Sequence, residues 1–137
     1  MRVCILLAVT IGITGGHVLA TDITLAADGR TDYRIVIAAG ADEPTRAAAE
    51  TLGDHLQKIT GADFPILPDS EPATDREIVV GDSDRLGRLS PPIDVVSLAD
   101  EAYVIRTHGS RLFIAGGRRH GTAFGIYVFL EYHLGCR

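Results

Sequence analysis

Apolar residues along this chain recur at two spacings. Residues 33–38, Tyr-Arg-Ile-Val-Ile-Ala, form a β-branched run that predicts a core strand, ended by Gly40. Ile23 and Leu25 alternate with polar or small neighbours, which predicts an edge strand. Ala48, Leu52, Leu56 and Ile59 then recur every three or four residues and form one stripe down a helix. Asp42 suits the cap of that helix, Pro44 its first turn, and Gly61 a left-handed stop. Phe64 to Leu67 are extended, and Pro65 keeps them at an edge. Residues 69–76 are polar and loop-like. Residues 77–81, Glu-Ile-Val-Val-Gly, predict a second core strand, so strand, helix and strand suggest a right-handed crossover.

Residues 82–94 look like a polar connector carrying Pro91 and Pro92. Residues 102–106 and 111–115 flank His108, Gly109 and Ser110 and predict a hairpin. A second helix is expected over 122–134. Ala123, Ile126, Tyr127, Leu130 and Leu134 fall on one face, while Phe124, Val128 and Phe129 cover most of the rest. A helix apolar nearly all round is buried on more than one side, so it is expected to meet something beyond this domain.

The first twenty residues follow another logic. Arg2 is a short positive start, residues 3–13 are almost unbroken in apolarity, and Val18-Leu19-Ala20 ends on a small residue. That is the pattern of a secretory leader cleaved after Ala20, which places the protein in the periplasm or outside the cell. The run is too short for a membrane span, and Gly15-Gly16-His17 interrupts it. Residues 21–137 then make one domain.

Composition narrows the function. The chain is 137 residues long with thirteen Lys+Arg against eighteen Asp+Glu, a net charge of −5, and loss of Arg2 makes the domain more acidic. An acidic domain is poorly suited to nucleic acid or to anionic lipid. Cys4 lies in the leader, and Cys136 is left alone without an internal disulfide.

The candidate chemistry is sparse. The Gly116-Gly117-Arg118-Arg119-His120-Gly121-Thr122 loop lies between a strand and a helix, as phosphate-binding loops do, but no lysine follows Gly121. A tight turn needing flexible glycines explains it more simply. Asp82-Ser83-Asp84 follows a strand and resembles a metal-binding acidic pair, yet Asp and Ser also favour caps and turns. None of His55, His108, His120 and His133 stands three or four residues from another, so no helical metal pair exists. No catalytic, cofactor-binding or metal-ligating residue is assigned, and no cofactor is expected.

Three stretches together carry a resemblance. They are 47–65, with Ala48-Ala49-Glu50-Thr51-Leu52 leading into His55-Leu56-Gln57-Lys58-Ile59-Thr60-Gly61-Ala62; 77–81; and 121–137, reading Gly-Thr-Ala-Phe-Gly-Ile-Tyr-Val-Phe-Leu-Glu-Tyr-His-Leu-Gly-Cys-Arg. This pattern resembles the amino-terminal domain of bacterial α-glucuronidases and related multi-domain glycoside hydrolases. The second domain of β-hexosaminidases has a similar fold. The resemblance implies a two-layer α/β (α+β) sandwich, a mixed sheet with two main helices on one face. It also implies a following (β/α)8 barrel that holds the catalytic carboxylates and packs on the 122–134 helix. No catalytic position of the family falls within this chain, which reads as cut short before the barrel. The function implied is that of a non-catalytic accessory domain of an exported, xylan-degrading α-glucuronidase-like enzyme. A free-standing carbohydrate-binding module is the alternative, although the chain has no Trp and its Tyr and Phe sit mostly at core-like positions. A phosphate-binding protein using the Gly116–Gly121 loop is a further one.

Overall fold

The computed structural model describes residues 4–6, 22–118 and 120–135. The leader and its Ala20 cleavage position lie almost wholly outside the described residues, as do Arg119 and Cys136.

Five strands form the main sheet: β3 (Arg34–Ile37), β4 (Ile66–Pro68), β5 (Glu77–Val80), β6 (Tyr103–His108) and β7 (Arg111–Gly116), in the order β4-β3-β5-β7-β6. The β3–β4, β3–β5 and β5–β7 pairs are parallel, and within this sheet only the β6–β7 hairpin is antiparallel. Gly109 turns that hairpin at φ 59°. The expected crossover takes a longer path. The helix after β3 leads first to the edge strand β4, and β5 then returns to the opposite side of β3.

β1 (Cys4–Leu6) and β2 (Asp22–Thr24) pair antiparallel in a separate two-stranded ladder. The strand expected around Ile23 is therefore not an edge of the main sheet. Ile23 and Leu25 nonetheless insert into the core, and the chain turns back through Asp28 and Gly29, both at positive φ.

Helix α1 (Glu43–Thr60) forms where its local signals place it. The Asp42 carboxylate accepts from the Thr45 amide at 3.0 Å, Pro44 occupies the first turn, and Gly61 closes the helix at φ 73°. Ala48, Ala49, Leu52 and Leu56 are its buried stripe. Burial of each leucine is worth about 1.5–3 kcal/mol.

Helix α2 (Gly121–Val128) continues into a π-helical turn (Phe129–His133), closed by the bond from the Leu134 amide to the Phe129 carbonyl. Gly125, Ile126, Phe129 and Leu130 are buried, whereas Phe124 and Tyr127 are exposed and Val128 is half-buried. The apolar stripe is thus rotated from the expected Ala123–Tyr127 face. Gly125 sets this phase: its side faces Ile114 and Tyr103, and a Cβ there would stand 3.0 Å from Ile114 Cγ2.

Alternate residues of the buried strands face opposite ways. Ile35, Ile37, Ile78, Val80, Leu112 and Ile114 meet both helices. Val36, Val79, Phe113 and Ala115 meet Leu86, Leu89, Ile93 and Val95. The two main helices therefore share one face, which makes the fold a mixed-sheet α/β sandwich. Residues 82–94 are not the polar connector expected: they and the residues just after them form two short 3-10 turns (Leu86–Arg88 and Val95–Ser97) that bring these apolar side chains over the second face. That cover explains why β3, β5 and β7 are apolar at successive positions rather than alternate ones.

Candidate functional site

The sheet topology decides where a ligand could sit. From β3 the chain goes outward to β4, and after β5 it goes to the β7 side. In open α/β sheets such a reversal leaves a crevice beyond the carboxyl ends of the strands. Here that crevice is a cleft of about 400 Å³. The cap and first turn of α1 supply Asp42, Pro44 and Thr45, and the turn after β5 supplies Asp82. The loop after β7 supplies Gly116, Gly117, Arg118, His120, Thr122 and Ala123, and Val95 and Val96 close the side.

Both motifs flagged in the sequence therefore reach the same cleft, but each is built differently from expectation. Gly116, Gly117 and Gly121 are not at positive φ. They are glycine because there is no room for more. A Cβ on Gly116 would overlap the Gly121 backbone, one on Gly117 the Ala99 carbonyl, and one on Gly121 the Ala102 carbonyl. The loop is a close backbone crossing rather than a flexible turn. Its amides are partly spent inside the fold: His120 and Gly121 donate to Asp100 O, Gly117 donates to Ala102 O, and Gly116 donates to Thr122 Oγ1 at 3.2 Å.

Asp82-Ser83-Asp84 splits in the same way. Ser83 Oγ donates to Asp69 Oδ2 at 2.9 Å, and the Asp84 amide donates to the same oxygen at 3.1 Å. The triplet is a turn held by Asp69, and Asp82 alone of its carboxylates lines the cleft. Among the described residues no group of three or more His, Cys, Asp or Glu could hold a metal ion. Asp42 is held ionised, because the Thr45 hydroxyl and amide lower its pKa. His55 bonds the Thr51 carbonyl at 2.8 Å, His108 is at the exposed end of the hairpin, and His133 stacks on Phe129 at 5.8 Å. Only His120 of the four enters the cleft, with its ring edge against Phe124.

Sequence reasoning missed a buried ionic cluster. Glu77, fully buried, accepts from Arg85 Nε at 2.8 Å, from Arg34 at 2.7 Å and from the Thr74 amide at 3.1 Å. Arg85 also donates to the carbonyls of Asp69 and Glu71 and so pins the 69–76 loop. Arg34 further reaches the Pro72 carbonyl. A glutamate beginning a β-branched strand was the available signal, since such a residue needs a partner if it is buried.

A second surface lies on the outward side of α2. Phe124 and Tyr127 are exposed there, Tyr132 is 75% exposed on the π-helical turn, and Tyr103 is exposed on the β6 edge strand beside Gly125. Four of the eight Tyr and Phe residues are thus at the surface, not mostly in the core as their sequence positions suggest.

No family model and no curated protein matches the chain. Among solved structures it is similar to a family GH115 4-O-methyl-α-glucuronidase with specificity for decorated arabinogalactans. The identity is 25% and the TM-score 0.53, and the match covers 69% of this chain but 13% of that one. The fold described above is accordingly shared with a small part of a glycoside hydrolase.

Proposed function

We propose that this chain is the non-catalytic amino-terminal accessory domain of an exported, α-glucuronidase-like glycoside hydrolase. The similarity to a domain-sized 13% of a GH115 enzyme carries the reading. The 121–137 stretch, with its resemblance to α-glucuronidase amino-terminal domains, supports it. The outward face of α2 and its π-helical turn would receive the catalytic barrel through Phe124, Tyr127 and Tyr132, since aromatic side chains are enriched at such contacts. The barrel would supply the catalytic carboxylates, and this domain would hold it in place. Glucuronic-acid side groups of plant polysaccharides such as xylan are the substrate class proposed. The leader pattern in residues 1–20 supports work in the periplasm or outside the cell.

The test is to sequence the genomic DNA downstream of the Arg137 codon. An open frame for a barrel with two acidic residues, whose product releases glucuronic acid from xylan oligosaccharides, supports the reading. A frame encoding no barrel, or a barrel product inactive on every glucuronic-acid-bearing glycan, overturns it.

A further inference from the structure

The cleft beyond β3, β5 and β7 remains unused when the domain is only a support. Its volume of about 400 Å³ falls within the range of small-molecule sites, roughly 300–1,000 Å³. Two of its charged side chains, Asp82 and Arg118, are exposed and form no hydrogen bond or ion pair among the described residues. Fixed by the glycine crossing on one side and the turn after β5 on the other, they are presented rather than consumed.

The chemistry of the lining selects the ligand. A free phosphate needs an excess of positive charge, yet the Asp42 and Asp82 carboxylates stand in the same cleft as Arg118. The positive ends of α1 and α2, each worth about half a charge, offset those carboxylates without overturning them. A cation is no better suited, because no metal-holding group exists among the described residues. Among the described residues, what remains is a mixed set of acceptors (Asp82, and the Asp42 oxygen not bonded to the Thr45 amide) and donors (Arg118, Thr122, His120), beside a patch of Pro44, Val95 and Val96. Val96 is 65% exposed, a surplus of apolar surface on the cleft side.

Neighbouring hydroxyl groups on a ring are donors and acceptors at once, and the C–H face of the same ring is apolar. We propose that this cleft binds one neutral sugar residue, with Asp82 and Arg118 taking its hydroxyls and the Val95–Val96 side its C–H face. The site does not depend on a barrel following the chain, so it stands or falls separately from the accessory-domain reading.

The experiment is an amide NMR titration of the full chain with D-xylose, L-arabinose and D-galactose in turn. Glycerol and sodium phosphate serve as comparison ligands. At least one ring is expected to shift the amides of Asp82, Gly117, Thr122 and Ala123 saturably, with a Kd on the order of 1 mM. Asp82→Ala and Arg118→Ala are each expected to weaken that binding at least about tenfold while the melting temperature stays put, since neither side chain supports the fold. Three results overturn the site: no saturable shift with any ring, equal shifts with glycerol, or shifts with phosphate alone. Sugar binding without a downstream barrel frame would make the chain a free-standing carbohydrate-binding module. A barrel frame without sugar binding would leave the accessory reading intact and remove the site.

Discussion

Arg85 Nε stands 2.8 Å from Glu77 Oε2, and both side chains are buried. The pair joins the first residue of β5 to the segment that follows β5, and the other Arg85 bonds, to the Asp69 and Glu71 carbonyls, tie in the loop between β4 and β5. Buried pairs of this kind need not raise stability over an apolar substitute, but breaking one leaves an uncompensated charge. Glu77→Gln, which leaves Arg85 and Arg34 facing a neutral amide, is therefore expected to cost about 3–5 kcal/mol. Arg85→Met is expected to cost less, because Arg34 still faces Glu77 at 2.7 Å. Urea unfolding of both variants measures this. A loss for Glu77→Gln below about 1 kcal/mol would show that the cluster is wet in solution.

The same cluster sets the response to acid. Burial alone would raise the Glu77 pKa, but bonds from Arg85, Arg34 and the Thr74 amide outweigh it and leave the value below 4.5. Asp69 follows the same logic: burial raises it, and the Ala39 amide, Ser83 hydroxyl and Asp84 amide bring it below 3.8. Both groups have lower pKa values folded than unfolded. Their contribution is complete above the unfolded values and is lost as pH falls through the folded ones. His133 is depressed from 6.5 by burial, so its small contribution goes earlier, below neutrality. Melting temperature is expected to dip slightly below about pH 6.5 and fall steeply below about pH 4.5. Glu77→Gln should flatten the steep limb, and an unchanged limb in that variant would assign acid lability elsewhere.

Glycines separate into two groups that a substitution series can distinguish. Gly117→Ala and Gly116→Ala drive a methyl into backbone and are expected to cost about 3 kcal/mol or more, or to prevent folding. Gly40 and Gly87 have nothing within 4 Å of an added Cβ and no positive φ. Gly40→Ala and Gly87→Ala are expected to stabilise the protein by about 0.4–1 kcal/mol through the unfolded chain. Chemical denaturation of the four variants tests this, and equal behaviour of the two groups would refute the close crossing at the β7–α2 loop.

Much of this architecture is legible in the amino-acid sequence alone. Asp42, Pro44 and Gly61 bound α1 by local chemistry, and the apolar runs around Ile35, Val79 and Phe113 locate the central strands. The cover of the second sheet face is not legible. Leu86, Leu89, Ile93 and Val95 are spaced by three, four and two residues, which fits neither a helix nor a strand. The partners of Glu77 come from three different elements, so no local pattern joins them. The cleft was visible only in pieces: the Gly116 loop and Asp82 stand out in the sequence, but their meeting with Asp42 depends on strand order. The phase of α2 is not legible for a similar reason, since its burial is set by Gly125 passing Tyr103 and Ile114.

That phase decides what the outer side of α2 presents. With Ile126, Phe129 and Leu130 turned inward, the surface left on the outer side is aromatic: Phe124, Tyr127 and Tyr132. Clustered apolar surface on an isolated domain promotes association or dye binding. Phe129 belongs to the core, so it takes no part in that surface. The isolated domain is expected to self-associate or bind a hydrophobic dye. The triple variant Phe124→Ser, Tyr127→Ser, Tyr132→Ser should be monomeric and dye-silent. Its melting temperature should change less than that of a core variant, because Phe124, Tyr127 and Tyr132 are 40%, 56% and 75% exposed. Phe129→Ala, by contrast, should lose about 3–5 kcal/mol by opening a core cavity. Light scattering, dye fluorescence and thermal unfolding of the two variants distinguish the roles. A parent protein that is monodisperse and dye-silent would mean that the outer face of α2 is no docking surface.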